Sequence, residues 1–344
     1  MLVAVQTASK GQPMKFLVLT AVIATAPVAA QLDGSFTLRS NDRDDRVNLN
    51  LEYDGNSNYG RTLERSALSD VSRTGDRITF TMRRDPGTFR FEGRGSLDRA
   101  TGWYEFQPNA SFRQEMERLG LRDVDGKALF VFALDDLTVA QVKQLKTLVS
   151  NELDTSELVR LLNHGAGVRY IQEMSDAGFK KLTSGEYRRA RDHGVSADFA
   201  REMADLGMAL SLDELTRTRD HGVTTEYVRA MRAAGFKVDL QELVRARDHG
   251  ISVDGLRRMR ELGYRDLPLE EYIRMRDHGV TVDYIQAMNA EGYKNLSPGE
   301  LVRLRDHGVS ASYVRRIKEM LKETPSVEQI IRLRSGGDIT SRRP

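Results

Sequence analysis

The chain has 344 residues, of which 40% are hydrophobic and 30% are charged, and its formal net charge at neutral pH is +2. This length fits about two domains of a soluble protein, and the absence of cysteine excludes disulfide bonds, thiolate metal sites and cysteine nucleophiles. Residues 1–30 contain two lysines and no acid, so the remainder has 50 basic and 50 acidic side chains. Nucleic-acid binding needs a surplus of cations to displace counterions from phosphates, and the sequence therefore argues against it.

The N-terminal segment has the pattern of an export signal. Lys15 precedes an apolar run from Phe16 to Val28, and Val28 and Ala30 provide the small residues of a cleavage site. The run is shorter than the roughly 20 apolar residues of a membrane-spanning helix. We predict a signal peptide over 1–30 that is cleaved after Ala30, with an uncleaved anchor as the alternative. The protein is then periplasmic or extracellular, with no membrane span after cleavage.

Residues 31–136 are predicted to form a small β-rich module. Hydrophobic residues alternate with polar ones there, so each run can bury one face of a strand; the runs lie at 47–53, 78–82, 89–91 and 103–106. The apolar run 129–134 is predicted to be a further strand, and 111–119 has helical character. Residues 137–151 are predicted to form a helix that leads out of the module.

The second half of the chain is repetitive. All six histidines lie in it, each followed by glycine, at intervals of 29, 28, 28, 29 and 29 residues: His164, His193, His221, His249, His278 and His307. Five of them directly follow an aspartate: Asp192, Asp220, Asp248, Asp277 and Asp306. A regular period of this length is typical of stacked supersecondary units. We predict an array of six units over 152–336, closed by a degenerate cap, and a disordered tail over 337–344.

Each unit is predicted to contain two short helices. Ten residues before each histidine stands a capping residue such as Ser297, and Glu300 follows three positions later, which is the pattern of a capping box. The first helix ends at the His-Gly step, where glycine can adopt the left-handed conformation. The second helix starts three residues after the histidine. Such short helices are marginal alone, so they must stack into an α-solenoid, and the predicted fold class is α+β.

The unit that contains Arg305-Asp306-His307-Gly308-Val309-Ser310 resembles the helical repeats that follow the membrane metallopeptidase domain of β-lactam-sensor-type antirepressor peptidases. Similar arrays occur in other exported bacterial proteins, and the β-rich region resembles, less closely, a module that accompanies them. The resemblance covers about 152–336. This sequence has no His-Glu-x-x-His motif and no set of transmembrane helices, so proteolysis is not implied. The resemblance implies a bacterial, envelope-facing repeat protein.

The histidine column admits three interpretations. In the first, each histidine ends a helix and its imidazole bonds a carbonyl of its own or the next unit. In the second, protonation of six equivalent imidazoles loosens the stack together. The third is metal binding, which geometry opposes because neighbouring histidines lie about 10 Å apart, whereas two ligands of one zinc must lie within roughly 4 Å. We predict no metal and no cofactor.

Arginines form two further columns, four and two residues before the histidines. The aspartates beside the histidines are predicted to pair with arginines between units or to cap the following helix. Alternatively, arginines line a groove for an acidic peptide, a phosphate or a sugar acid. The residues we expect on that interaction surface are Arg189, Arg217, Arg245, Arg274 and Arg303.

The β-rich module contains no histidine or cysteine and therefore no complete nucleophile–histidine site. Trp103 and Tyr104 are expected in its core, with a ligand pocket as the alternative. The leading hypothesis is an exported, non-enzymatic scaffold whose array binds a protein or peptide. The alternatives are an envelope sensor that responds to pH or a ligand, and a small-ligand carrier or hydrolase centred in the β-rich module. The oligomeric state stays open.

Overall fold

The computed structural model describes residues 32–41, 45–53, 55 and 57–336. The predicted signal peptide and the predicted tail after residue 336 lie outside the described residues. The chain divides into two compact units. The first comprises the described residues up to Ala110 together with Asp125–Ala133, and the second comprises Ser111–Val124 and the described residues from Leu134 onward.

The first unit is built on an antiparallel sheet of seven strands in the order β3-β2-β1-β7-β6-β5-β4. The strands are β1 (Leu32–Ser40), β2 (Arg46–Tyr53), β3 (Ser57–Glu64), β4 (Ser69–Thr74), β5 (Arg77–Arg84), β6 (Gly87–Ser96) and β7 (Arg99–Pro108). The alternation that predicted strands at β2, β5, β6 and β7 is the alternation of buried and exposed residues in the structure. Strand β1 joins the two halves of the sheet by pairing with both β2 and β7.

The apolar run 129–134 is a helix, and the strand predicted there is wrong. It belongs to α2 (Gly126–Leu134), whose start is capped where Asp125 Oδ1 accepts from the Ala128 N–H at 2.7 Å. A run that is apolar on every side has no period that separates a buried strand from a buried helix. Phe130 packs against sheet aromatics, with its ring centroid 5.3 Å from that of Phe89 and 5.6 Å from that of Phe106.

The second unit is a stack of helix pairs, as the repeat predicted. The first helices of the pairs are α4 (Thr155–Asn163), α6 (Ser184–Asp192), α8 (Leu212–Asp220), α10 (Leu240–Asp248), α12 (Leu269–Asp277) and α14 (Pro298–Asp306). The second helices are α5 (Val168–Asp176), α7 (Ala197–Asp205), α9 (Thr225–Ala233), α11 (Val253–Glu261), α13 (Val282–Ala290) and α15 (Ala311–Leu321), and α16 (Val327–Arg334) follows them. Equivalent helices of successive units contact each other, which makes a two-layered solenoid.

The helix ends form where the sequence predicts them. Capping boxes with both reciprocal hydrogen bonds start α6, α8, α10, α14 and α16, whereas Pro268 starts α12 without a side-chain bond. At the other end, each histidine is the C-cap and the next glycine has a positive φ, for example +72° at Gly194. The Val195 N–H then bonds Ala190 O at 2.9 Å, which completes a Schellman motif.

The array begins earlier than residue 152, and residues 137–151 are more than a connector. They contain α3 (Val139–Leu148), which stacks on α5, and α1 (Ala110–Arg118) lies in the same compact unit. Lys146 Nζ donates to Leu119 O at 2.6 Å, as Lys318 donates to Glu291 O at 2.7 Å between two later second helices. The repeat is hidden there because Asp136, with φ +53°, replaces the glycine of the His-Gly step.

Candidate interaction surface of the helical array

The histidines and aspartates form a ladder that links successive units. The Nδ1 atom of each of the first five histidines lies 2.6–2.7 Å from an Oδ1 atom of the aspartate that precedes the next histidine. The pairs are His164–Asp192, His193–Asp220, His221–Asp248, His249–Asp277 and His278–Asp306. His307 has Ser335 Oγ as its partner instead, at 3.3 Å. The ladder therefore spans every unit of the predicted array and weakens at its last rung.

This geometry corrects two sequence predictions. The imidazoles were expected to bond a carbonyl, and the aspartates were expected to pair with arginine or to cap a helix, but the two columns bond each other. The helix-end position brings them together because each histidine is a C-cap and the aspartate closes the equivalent helix of the next unit. The aspartate, which lies unfavourably near a helix C-terminus, gains a hydrogen-bond donor there.

The ladder also bears on the proposed response to acid. A carboxylate only accepts hydrogen bonds, so Nδ1 carries the proton of each His–Asp bond. Protonation of the imidazole adds a proton at Nε2 and leaves the Nδ1–H donor in place. The geometry therefore gives each rung a donor at Nδ1 that does not depend on whether Nε2 carries a proton.

The arginines two residues before the histidines stack on aromatic rings of the preceding unit. Their guanidinium carbons lie 4.8–5.2 Å from ring centroids in the pairs Arg191–Tyr170, Arg219–Phe199, Arg247–Tyr227 and Arg305–Tyr284. Arg334 lies 5.0 Å from the ring of Tyr313 in the same way. The matching periods of arginine and aromatic residues are visible in the sequence, but the periods alone do not show that these side chains meet across two units.

Tyrosine hydroxyls add a third contact between units. Tyr170, Tyr227 and Tyr284 donate to Val195 O, Ile251 O and Val309 O at 3.0, 3.2 and 3.1 Å. Burial raises the pKa of each of these three tyrosines to about 12. Four of the five interfaces with a His–Asp bond also have a stacked arginine, and three of those four add a tyrosine–carbonyl bond.

The arginines four residues before the histidines make looser contacts. Three of them pair with an acid near the start of the next unit's first helix: Arg189 with Asp213 at 3.5 Å, Arg245 with Glu270 at 2.8 Å and Arg303 with Glu328 at 2.7 Å. Arg274 reaches only Glu271 of its own helix, at 3.7 Å. Arg217 makes no ion pair within the described part of the chain, because Gln241 and not an acid stands at the matching position of the next unit. This arginine column is exposed and only partly neutralised.

Trp103 lies on the outer face of the sheet, with 72% of its surface exposed, so the expectation that it belongs to the core is wrong. Its neighbours in β7, Tyr104 and Phe106, are buried, and the two-residue alternation directs Trp103 outward. It borders an open concavity of about 710 Å³ together with Arg90 and Glu92.

Among the described residues, no three side chains of the metal-binding types converge on one point. No helix in the same residues combines the length and the hydrophobicity needed to cross a bilayer. In comparisons with known proteins, the chain matches no family model, no curated protein and no solved structure. The resemblance of its repeats to those of antirepressor peptidases therefore stays a prediction.

Proposed function

We propose that the protein is a non-enzymatic scaffold whose helical array binds an extended acidic segment of a partner protein along Arg189, Arg217, Arg245, Arg274 and Arg303. The observation that carries the proposal is the regular exposure of this column. The side chains of the four ion-paired members are 45–64% exposed, and Arg217 has no ion pair within the described residues.

The spacing of the column favours an extended peptide. Stacked helices lie about 10 Å apart, and a peptide in the extended polyproline II conformation rises about 3.1 Å per residue with three residues per turn, so that every third side chain lies on one face. A carboxylate at every third residue of the peptide would thus meet successive arginines. Arginine suits carboxylates because its planar guanidinium can donate two parallel hydrogen bonds. The chain after residue 30 has no net positive charge, so the array is suited to a spaced row of carboxylates and not to polyanions in general.

The test uses two fluorescent peptides of equal composition, one with glutamate at every third position and one with the glutamates in a block. We expect the full chain to bind the spaced peptide more tightly. A variant with Arg217, Arg245 and Arg274 changed to serine should lose about ten-fold or more in affinity. The matched control removes the same charge from second helices, at Arg169, Arg229 and Arg257, and should change affinity less than about two-fold.

Two results would contradict this function. Equal losses of affinity in the two triple variants would show that the peptide is attracted by general charge alone. Equal affinity for the two peptides would show that the arginine column does not recognise the spacing of the glutamates.

Export is part of the proposal and rests on the pattern of residues 1–30. In a bacterial host, the full-length protein should appear outside the cytoplasm with Gln31 as its new N-terminus. An intact N-terminus in the cytoplasmic fraction would refute it.

A second candidate, binding of a small ligand by the sheet, is favoured by the exposure of Trp103 beside Arg90 and Glu92. Trp103 is the single tryptophan of the chain, so its fluorescence reports binding directly. Titration with neutral and acidic oligosaccharides should shift the emission if this face binds sugars. An unchanged spectrum across the panel would remove this candidate.

A further inference from the structure

One unit of the array lacks the aromatic ring that its siblings share. The third residue of the second helix is aromatic in five units, at Tyr170, Phe199, Tyr227, Tyr284 and Tyr313. In α11 this residue is Gly255. The neighbouring positions of the repeat have the same kind of residue as in the other units, and Leu256 and Met259 are both buried.

In the sibling units, the ring occupies a defined slot between two units. In the unit before α11, the ring of Tyr227 lies under the guanidinium of Arg247, 4.9 Å from its carbon, and the hydroxyl donates to Ile251 O at 3.2 Å. In the unit after α11, Tyr284 repeats both contacts, with Arg305 at 4.8 Å and Val309 O at 3.1 Å. The equivalent partners of Gly255 are Arg276 and Val280 O.

The slot at Gly255 is empty, and the side chains that would surround the ring are present. A pocket of about 300 Å³ lies there, bordered by the apolar side chains of Leu256, Met259 and Val280 and by Arg276. Arg276 lies over the glycine before it as the equivalent arginines do: a Cβ on Gly250 would lie 3.4 Å from Arg276 Nε, and a Cβ on Gly165 would lie 3.5 Å from Arg191 Nε. Within the described residues, Arg276 has no ion pair and no ring beneath it, and no tyrosine hydroxyl reaches Val280 O.

We propose that this slot binds a phenolic ring, with the ring face beneath the Arg276 guanidinium and the hydroxyl donating to Val280 O. A cation over an aromatic face is attracted by the ring's quadrupole, and a small apolar pocket with a few fixed polar groups is the usual form of a ligand site. The ligand is a para-substituted phenol, either a free small molecule or a tyrosine side chain of a partner. Its position copies that of Tyr227 and Tyr284 in the flanking units.

The direct test is titration of the full chain with p-cresol, the side-chain analogue of tyrosine, followed by calorimetry. We expect saturable binding at one site, and binding of toluene about five- to ten-fold weaker because toluene cannot donate to Val280 O. Gly255→Tyr should reduce the affinity for p-cresol at least about ten-fold by filling the slot. Conversely, Tyr227→Gly should open a second slot and raise the stoichiometry from one to two.

The substituted tyrosine has room at its base. A Cβ on Gly255 would approach Ser252 Oγ to 2.9 Å, but the sibling Tyr227 has a Cβ and its N–H still bonds the capping Thr224 Oγ1 at 3.2 Å. If Gly255→Tyr nevertheless lost helical circular dichroism, two other variants would test the site. Tyr227→Gly should add a second p-cresol site, and Arg276→Gln should weaken p-cresol binding several-fold. Absence of p-cresol binding, or equal affinity in a folded Gly255→Tyr variant, would overturn the proposal.

A capped Ala-Tyr-Ala peptide distinguishes the two sources of the ring. If it binds with the affinity of p-cresol, the slot accepts a tyrosine of a partner chain, and if only p-cresol binds, the ligand is a free phenol. The slot uses none of the arginines proposed to bind an acidic peptide, so failure of either proposal leaves the other standing.

Discussion

Replacing Asp248 by alanine removes one rung of the histidine–aspartate ladder. Its carboxylate lies 2.6 Å from His221 Nδ1, and both side chains are half-exposed. Hydrogen bonds contribute about 1 kcal/mol to stability on average, and exposed charge pairs contribute roughly 0.2–1 kcal/mol. We therefore expect Asp248→Ala to weaken the interface between two units by about 1 kcal/mol, which is roughly a five-fold rise in local opening.

Native-state hydrogen exchange is the suitable assay. A stacked array opens in segments, so a single melting temperature would mix events in different units. The amides of α8 and α10 should exchange faster in Asp248→Ala, while those of α4 and α14 stay unchanged.

A double-mutant cycle isolates the bond. Substitution of His221 and Asp248 by alanine, singly and together, should give a coupling of about 0.5–1 kcal/mol. The control cycle pairs His221 with Asp277, which bonds His249 instead, and should give no coupling. Zero coupling for the bonded pair would refute the ladder.

Three further predictions concern groups that support the stack. Tyr227→Phe removes the donor to Ile251 O and should destabilise the array by about 1 kcal/mol, measured by native-state hydrogen exchange. The unit that contains Phe199 lacks this hydroxyl naturally and serves as the comparison. Burial raises the pKa of Tyr170, Tyr227 and Tyr284 to about 12. Above about pH 10 the unfolded chain has therefore released protons that the folded protein still holds. The free energy of unfolding should fall by about 1.4 kcal/mol per pH unit and per tyrosine between about pH 10 and about pH 12. Tyrosinate absorbance that titrates fully at pH 10 without loss of helical signal would contradict this. Backbone N–H donors of the capping boxes lower the pKa of Glu186, Glu214 and Glu300 from 4.5, so their stabilisation is present above that value and is lost as the pH falls through the lower folded value. Replacing these three glutamates by glutamine should flatten the acid limb of a circular-dichroism titration, and an unchanged limb would count against the assignment.

The helical array could be predicted from sequence because its signals are local. Capping residues and the His-Gly step each act within one helix or turn, and they repeat at one period. The contacts between units were harder to assign, since the side chains that meet are 27 or 28 residues apart. An aspartate beside a helix C-terminus indicated an unfavourable charge and did not reveal that the imidazole of the preceding unit would compensate it.

The remaining errors have separate physical causes. The run 129–134 is apolar throughout and has no period to distinguish a helix from a strand. Trp103 is different, because the alternation with Tyr104 and Phe106 already directs it away from the core, and large hydrophobic size was given too much weight. Helix α3 is not recognisable from the sequence as part of the array, because Asp135 and Asp136 replace the His-Gly pair in front of it.

The one-directional bonding of the ladder makes the inner units interchangeable. Each of them offers an imidazole to the unit that follows and a carboxylate to the unit that precedes, so any two inner units present the two groups that a rung needs. Removal or duplication of a block of 28 or 29 residues would leave every rung satisfied, and the array could change in length without any new side chain at the junction. Tandem duplication in the gene would thus produce a foldable protein at once, with a longer row of arginines.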